Sequence, residues 1–293
     1  MRDATCEKNV LEHLLNLLRL EKIEENIFRG NSQDLGFGAI FGGQVLGQAL
    51  SAASRTVTPD RRNHSFHAYF LRAGDVRLPI VYDVDCVRDG RSFSTRRVRA
   101  VQKGKVIFFM SASFQIEEQG LDHQDIMPDV PDPETLESEL EASKRQSDRI
   151  PDSIKDRILC ERPIEIRPVQ FYNLFEPEKM QPPCHRWFRT IDKIPDDPFI
   201  HQYMLAYASD FHLAATFLHP HGVSPWQPGI QFASIDHTMW FHRPFRIDDW
   251  LLYSIDSPNA YGARGLSIGK IFTKSGLLAA TVVQEGLHRM RDR

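Results

Sequence analysis

One pattern occurs twice along the chain, and it narrows the possible folds more than any other feature. Each time, a run of small and apolar residues at helical spacing leads into several β-branched and aromatic segments broken by turn residues. In the first half the glycine pair Gly42-Gly43 opens a helical run over 45–53, rich in small residues that suit close burial. Segments 64–71, 80–88, 92–102 and 106–115 then read as strands. Gly74-Asp75, Asp89-Gly90 and Lys103-Gly104 punctuate them, and Asp-Gly between two such runs marks a hairpin. In the second half, strands are expected over 164–172 and 186–191. Asp197-Pro198 reads as an N-cap and first helical position. That helix should run through Asp210 to about Leu218, followed by strands over 231–240, 250–257, 265–273 and 277–284.

The two halves align by offset. Phe70-Leu71-Arg72-Ala73 falls on Phe241-His242-Arg243-Pro244 at 171, as do Tyr69 on Trp240 and Tyr82 on Tyr253. The helix ends, taken as Ala52-Ala53 and Ala214-Ala215, give 162, and the difference of 9 is assigned to the loop 219–228. A repeat this long is a duplicated domain rather than a solenoid. Between the halves, residues 121–162 carry 12 acidic and 6 basic side chains and are interrupted by Pro128, Pro131, Pro133 and Pro151. This stretch is expected to be a solvated linker with a short surface helix from about Glu134. The chain therefore divides into units 1–120 and 163–293 joined by 121–162. Residues 8–20 add an amphipathic helix with Leu11, Leu14, Leu15 and Leu18 on one stripe.

Charge and cysteine usage exclude several classes. With 36 basic against 39 acidic residues among 293, there is no electrostatic footprint for nucleic acid. Cys6, Cys86, Cys160 and Cys184 show no C-x-x-C spacing, so a zinc knuckle, a redox motif and a disulfide scaffold are all disfavoured. No stretch approaches the roughly 20 apolar residues of a membrane span. Met1-Arg2-Asp3-Ala4 opens no signal peptide, and Arg291-Asp292-Arg293 is not the Ser-Lys-Leu peroxisomal address, so a cytoplasmic location is expected.

Chemistry-bearing residues need weighing. Gly265-Leu266-Ser267-Ile268-Gly269 matches G-x-S-x-G, but its flanks read as strand on both sides, which a nucleophile elbow does not allow. His212, His219, His221, His237 and His242 are dense but lack ligand spacing, so packed histidines are expected rather than a metal site. Asp210 stands in an otherwise apolar helix, where a carboxylate must be paired, hydrogen-bonded or functional. Ser234 and Gln284 are polar residues in otherwise apolar strands.

Ile235-Asp236-His237-Thr238-Met239-Trp240-Phe241-His242-Arg243-Pro244-Phe245 resembles the hallmark of the type II acyl-CoA thioesterases. Phe41-Gly42-Gly43-Gln44-Val45-Leu46-Gly47-Gln48-Ala49, the segment 64–75 and Gln284-Glu285-Gly286 resemble the same family in the same order, so the likeness covers nearly the whole chain. It implies an α+β double hotdog: two tandem units, each a long helix wrapped by an antiparallel sheet. It also implies hydrolysis of acyl-CoA thioesters to free acid and CoA with no metal or organic cofactor, in a dimer or tetramer most like the bacterial branch. The family's catalytic Asp, Thr or Ser, and Gln fall on Asp210, Ser234 and Gln284, with Gln48 near the place where the first half would carry its own Asp. Asp210 would act as general base on a water that Ser234 and Gln284 orient. Gly42-Gly43 at a helix N-terminus is a candidate for oxyanion donors. His64 and His67 are the alternative base. A hydratase or dehydratase of the same fold, and a non-catalytic acyl-CoA sensor, are the competing functions.

Overall fold

The computed structural model describes residues 9–36 and 38–290. Cys6, Met1 to Ala4 and Arg291 to Arg293, which entered the readings above, lie outside the described residues. The helices are α1 (Val10–Leu18), α2 (Gly42–Ser54), α3 (Glu139–Arg145), α4 (Asp152–Ile158) and α5 (Pro198–Ser209). The strands of the first half are β1 (Glu21–Glu24), β2 (Ile27–Gly30), β3 (Arg61–Phe70), β4 (Ile80–Asp89), β5 (Phe93–Gln102) and β6 (Lys105–Ile116). Those of the second are β7 (Ile164–Pro168), β8 (Cys184–Thr190), β9 (Ile230–Ser234), β10 (Asp236–Phe241), β11 (Leu251–Tyr261), β12 (Arg264–Thr273) and β13 (Leu278–Met290).

All of these strands join one antiparallel sheet in the order β1-β2-β4-β5-β6-β3-β10-β13-β12-β11-β8-β7, with β9 also pairing with β13. The order is mirrored about the β3–β10 seam, where Tyr69 faces Asp236 and Ser65 faces Trp240. Alternation places Phe66, Ala68, Met239 and Phe241 on the buried face of this seam. The duplication extends to individual hydrogen bonds. Leu71 and Arg72 both donate N–H to the Ile107 carbonyl, and His242 and Arg243 both donate to that of Ala279.

The buried face wraps α2 and α5, which run antiparallel against each other. Their approach depends on two glycines. A Cβ on Gly43 would sit 2.3 Å from the Tyr207 carbonyl oxygen, and one on Gly47 would sit 2.9 Å from that of Tyr203. Without these side chains the backbones come close enough to bury α2 from Gly43 through Ser54.

The strand expected over 231–240 is two, β9 and β10, and β1 and β2 add a hairpin that was not expected. The second helix ends at Ser209, and the chain then turns through His212 (φ 65°) into a separate 3-10 helix, Ala214–His221. Asp210 is thus the C-cap rather than a mid-helix residue. The helices α2 and α5 end at an offset of 155, so Ala214-Ala215 is not the counterpart of Ala52-Ala53, and the extra length before the second meander is 16 residues rather than 9. Residues 121–162 are not a free solvated linker either. The Trp187 indole donates to the Pro131 carbonyl (2.9 Å) and that of Trp250 to Glu134 Oε1 (2.8 Å). Pro133, Ala142 and Ile150 are buried, and the helix starts at Glu139 behind a Ser138/Glu141 capping box. The cause is a second apolar cluster around Trp187, Trp250, Leu252 and Phe272, which Met127, Val130 and Leu136 cover. The acidic charges meet Arg167, Arg189, Lys270 and Lys274.

The glycine contact gives a direct test. Gly43→Ala should lower stability by about 1–3 kcal/mol through overpacking against a backbone oxygen. Gly120→Ala, with open space around it, should stay within about 0.5 kcal/mol. Urea unfolding midpoints measure both.

Candidate active site

The C-cap of α5 lies at the N-terminus of α2 because the two helices are antiparallel. Asp210 Oδ2 accepts the Gly43 N–H at 2.7 Å. Its Oδ1 accepts Gln284 Nε2 at 2.8 Å, and the same Nε2 donates to Ser234 Oγ at 2.9 Å. The three residues named from the sequence therefore converge, drawn from α5, β9 and β13. Gln284 is fully buried on the inner face of β13, beside Val282 and Gly286. Ser234 ends β9, where the strand breaks at Ile235. There Ile235 gives its N–H to Glu285 and receives that of Phe70, while Asp236 Oδ1 accepts the Glu285 N–H. This break brings Ser234 opposite Gly286 and within reach of Gln284.

The network has one consistent polarity. Both amide hydrogens of Gln284 are used, one on a carboxylate and one on a hydroxyl oxygen, which assigns the amide orientation. No described residue accepts the Ser234 hydroxyl hydrogen. The Asp210 side chain is only 5% exposed. Burial raises its pKa to about 6, against the opposing pull of the Gln284 and Gly43 hydrogen bonds. The positive end of α2 adds to that pull. Since Gly43 N–H serves Asp210 here, it is engaged by the carboxylate rather than presented as an oxyanion donor.

Asp210 and Ser234 line a cavity of about 1040 Å³. Phe41, Val45, Phe70 and Phe108 form part of its wall from the first half, and Leu140 and Ile158 close it from the segment between the halves. Glu139 Oε2 also meets His212 Nε2 at 3.2 Å, tying α3 to the loop just after Asp210.

The other expectations sort as follows. Gln48 is a mid-helix residue whose amide donates to Leu17 and Asn31 and accepts the Tyr82 hydroxyl, so it is not the first-half counterpart of Asp210. That counterpart is Arg55, the C-cap of α2, which donates to the Leu20 carbonyl and lies over the Phe28 ring. At that end the Phe199 N–H in the first turn of α5 is capped locally by Asp197 Oδ1. His64 bonds Ser113 and His67 packs edge-on to Trp240, and neither lines the cavity. The G-x-S-x-G glycines lie within β12 because Phe217 and Tyr253 pack flat against them, and Ser267 is buried. His219 stacks on Tyr172 and contacts Cys184, and His242 bonds Thr281. No group of three His, Cys, Asp or Glu side chains among the described residues could hold a metal ion.

Sequence reasoning missed His237. It is fully buried, bonds Ser209 Oγ through Nε2 at 3.0 Å, and places Nδ1 3.8 Å from Asp210 Oδ1. The signal was the strand alternation, which puts an imidazole on the inward face of β10 with Met239 and Phe241.

The family model described as acyl-CoA thioesterase matches residues 153–287, and that described as acyl-CoA thioesterase N-terminal domain matches residues 31–115. The chain is 46% identical over 284 residues to acyl-CoA thioesterase 2 of Haemophilus influenzae, covering 97% of this chain and 99% of that protein. The crystal structure of an acyl-CoA thioesterase II from Mycobacterium marinum superimposes with a TM-score of 0.78 at 43% identity, covering 95% of this chain and 99% of that one. A protein of hot dog fold from Alicyclobacillus acidocaldarius has a TM-score of 0.72 at 19% identity, covering 94% and 98%, and supports the fold.

Because the Gln284 bond stabilises the carboxylate, Gln284→Leu should push the Asp210 midpoint above 6, by about one unit. Carbon-13 NMR titration of the Asp210 carboxyl carbon measures it.

Proposed function

The chain belongs to the acyl-CoA thioesterase family, and from that premise we propose that Asp210, Ser234 and Gln284 hydrolyse an acyl-CoA thioester held in the adjoining cavity. The chain is a thioester hydrolase of α+β double-hotdog fold. The observation that carries the residue assignment is the shared Gln284 amide, which binds Asp210 and Ser234 together at the cavity wall.

In this reading Asp210 takes a proton from a water as the water oxygen attacks the thioester carbon. The carbonyl π electrons move to oxygen. They return as the C–S bond breaks, its electron pair leaves on sulfur, and the proton passes from Asp210 to the sulfur. A base with a pKa near 6 suits the task, being ionised at neutral pH yet more basic than an exposed Asp. Ser234 Oγ accepts from Gln284 and keeps a lone pair for the second water hydrogen and its own hydrogen for the thioester oxygen. Gln284 contributes orientation, fixing the base and the hydroxyl relative to each other. The apolar wall at Phe41, Val45 and Phe70 takes the acyl chain.

Assembly into a dimer or tetramer belongs to the same reading, supported by the family resemblance. The division into units 1–120 and 163–293 joined by 121–162 is supported by the mirrored order of the sheet. No helix among the described residues is long and apolar enough to cross a membrane.

A thiol-release assay over a panel of acyl-CoA chain lengths tests the reaction. The wild type should release thiol, and Asp210→Asn should lose about 10²–10⁴-fold in kcat. Asp210 must be ionised to act, so kcat/KM should fall as pH drops through about 6. No thiol from any substrate despite tight binding would favour a sensor. Near-full activity of Asp210→Asn beside a dead His64→Ala would overturn the base assignment.

A further inference from the structure

His237 is a buried polar ring whose second nitrogen has no hydrogen-bond partner. Its surroundings define which nitrogen carries the proton. The Ser209 hydroxyl donates to the Ala206 carbonyl at 2.9 Å, so its oxygen must accept from His237 Nε2–H at 3.0 Å. Nδ1 is then unprotonated, and it is buried and unpartnered. Burial also keeps the ring neutral, lowering its pKa to about 3. Phe66 stacks beside it, with ring centroids 6.0 Å apart, and Ser209 is anchored by the Tyr253 hydroxyl on its carbonyl. The bare Nδ1 is 3.8 Å from Asp210 Oδ1, so a protonated Oδ1 reaches it by closing roughly 0.8 Å.

We propose that His237 is a positioning residue for the proton on Asp210: its Nδ1 lone pair opposes the charged carboxylate and accepts a hydrogen bond from the carboxylic acid that replaces it. This rests on Asp210 being the base. While it is held at the site, the proton stays covalently on Asp210. It arrives from the attacking water, is directed from Oδ1 toward Nδ1, and leaves for the departing sulfur. His237 changes neither protonation nor bonding. Its effect is to favour the acid form, which makes Asp210 a stronger base.

The charged and titratable groups around Asp210 leave this role open. Tyr207 on α5 and Tyr253 on β11 stay protonated, because burial raises both. On α2 the neighbour is the Gly43 N–H, and on β13 it is the Gln284 amide, both of which favour the charged form. Arg162, Arg186 on β8, Glu139 on α3 and His212 form a separate cluster past the end of α5, where Glu139 pairs with His212. Asp236 Oδ1 accepts the Glu285 backbone N–H, and the Glu285 carboxylate pairs with Arg264. His237 faces Asp210 with an open acceptor nitrogen.

The experiment reads the Asp210 carboxyl carbon by NMR titration and kcat/KM against pH in the same full-length variants, with Asp210→Asn assigning the signal. His237→Phe keeps the ring volume and removes the acceptor. It should lower the Asp210 midpoint by about one unit, move the acid limb of kcat/KM with it, and reduce the plateau about tenfold. His237→Asn restores an acceptor near the Nδ1 position and should recover most of both. Ser209→Ala frees the ring to protonate on Nδ1 and donate to Asp210, and should also lower the midpoint. An unmoved Asp210 midpoint in His237→Phe and Ser209→Ala would overturn the proposal. A midpoint that moves while the acid limb stays would uphold the contact and overturn Asp210 as the base.

Discussion

The Gly43 N–H to Asp210 bond is the contact on which the site depends. It joins the first turn of one central helix to the last residue of the other, so it forms only when the two halves are docked. The docking needs α2 and α5 to approach at backbone distance, which the bare Cα atoms of Gly43 and Gly47 allow. A carboxylate buried without that donor and the Gln284 amide would lose its charge to desolvation. With them it remains ionisable near neutrality. Packing between the halves and basicity at the site are therefore one energetic problem.

Much of this was legible in the sequence because it follows short-range rules. Turn residues bounded most of the meander strands to within a few positions, although β1 and β2 were missed and β13 runs on to Met290, and the Tyr82/Tyr253 and Phe70/Phe241 matches at 171 located corresponding strands of the mirrored sheet. Asp210, Ser234 and Gln284 stood out as polar residues in apolar segments. The errors arose where tertiary contact decided the outcome. Residues 210–218 carry helical composition, yet the left-handed turn at His212 ends α5 before them. Gln48 looked like a counterpart of Asp210 by offset, but no one-dimensional alignment shows that α2 continues past it to Arg55. His237 was grouped with other histidines because its partner, Ser209, is 28 residues away.

The acidic stretch between the halves shows how composition misleads. Its charge and prolines resemble a solvated tether, and several of its carboxylates are indeed exposed. Its few apolar residues nevertheless cover tryptophans that the second half of the sheet would otherwise leave in water, while Leu140 and Ile158 face the cavity. The segment works as a strap across the site, and Glu139 fastens it to the loop after Asp210.

The Arg55 end of the helix pair has a consequence for stoichiometry. Two equivalent units would offer two equivalent poles, each with a helix N-terminus facing the other helix's C-cap. Here one pole is closed: a cation replaces the carboxylate, and Asp197 takes the Phe199 N–H at the start of the facing helix. On the proposed assignment of Asp210, each polypeptide is thereby a one-seat device, and successive substrates queue for the same pole.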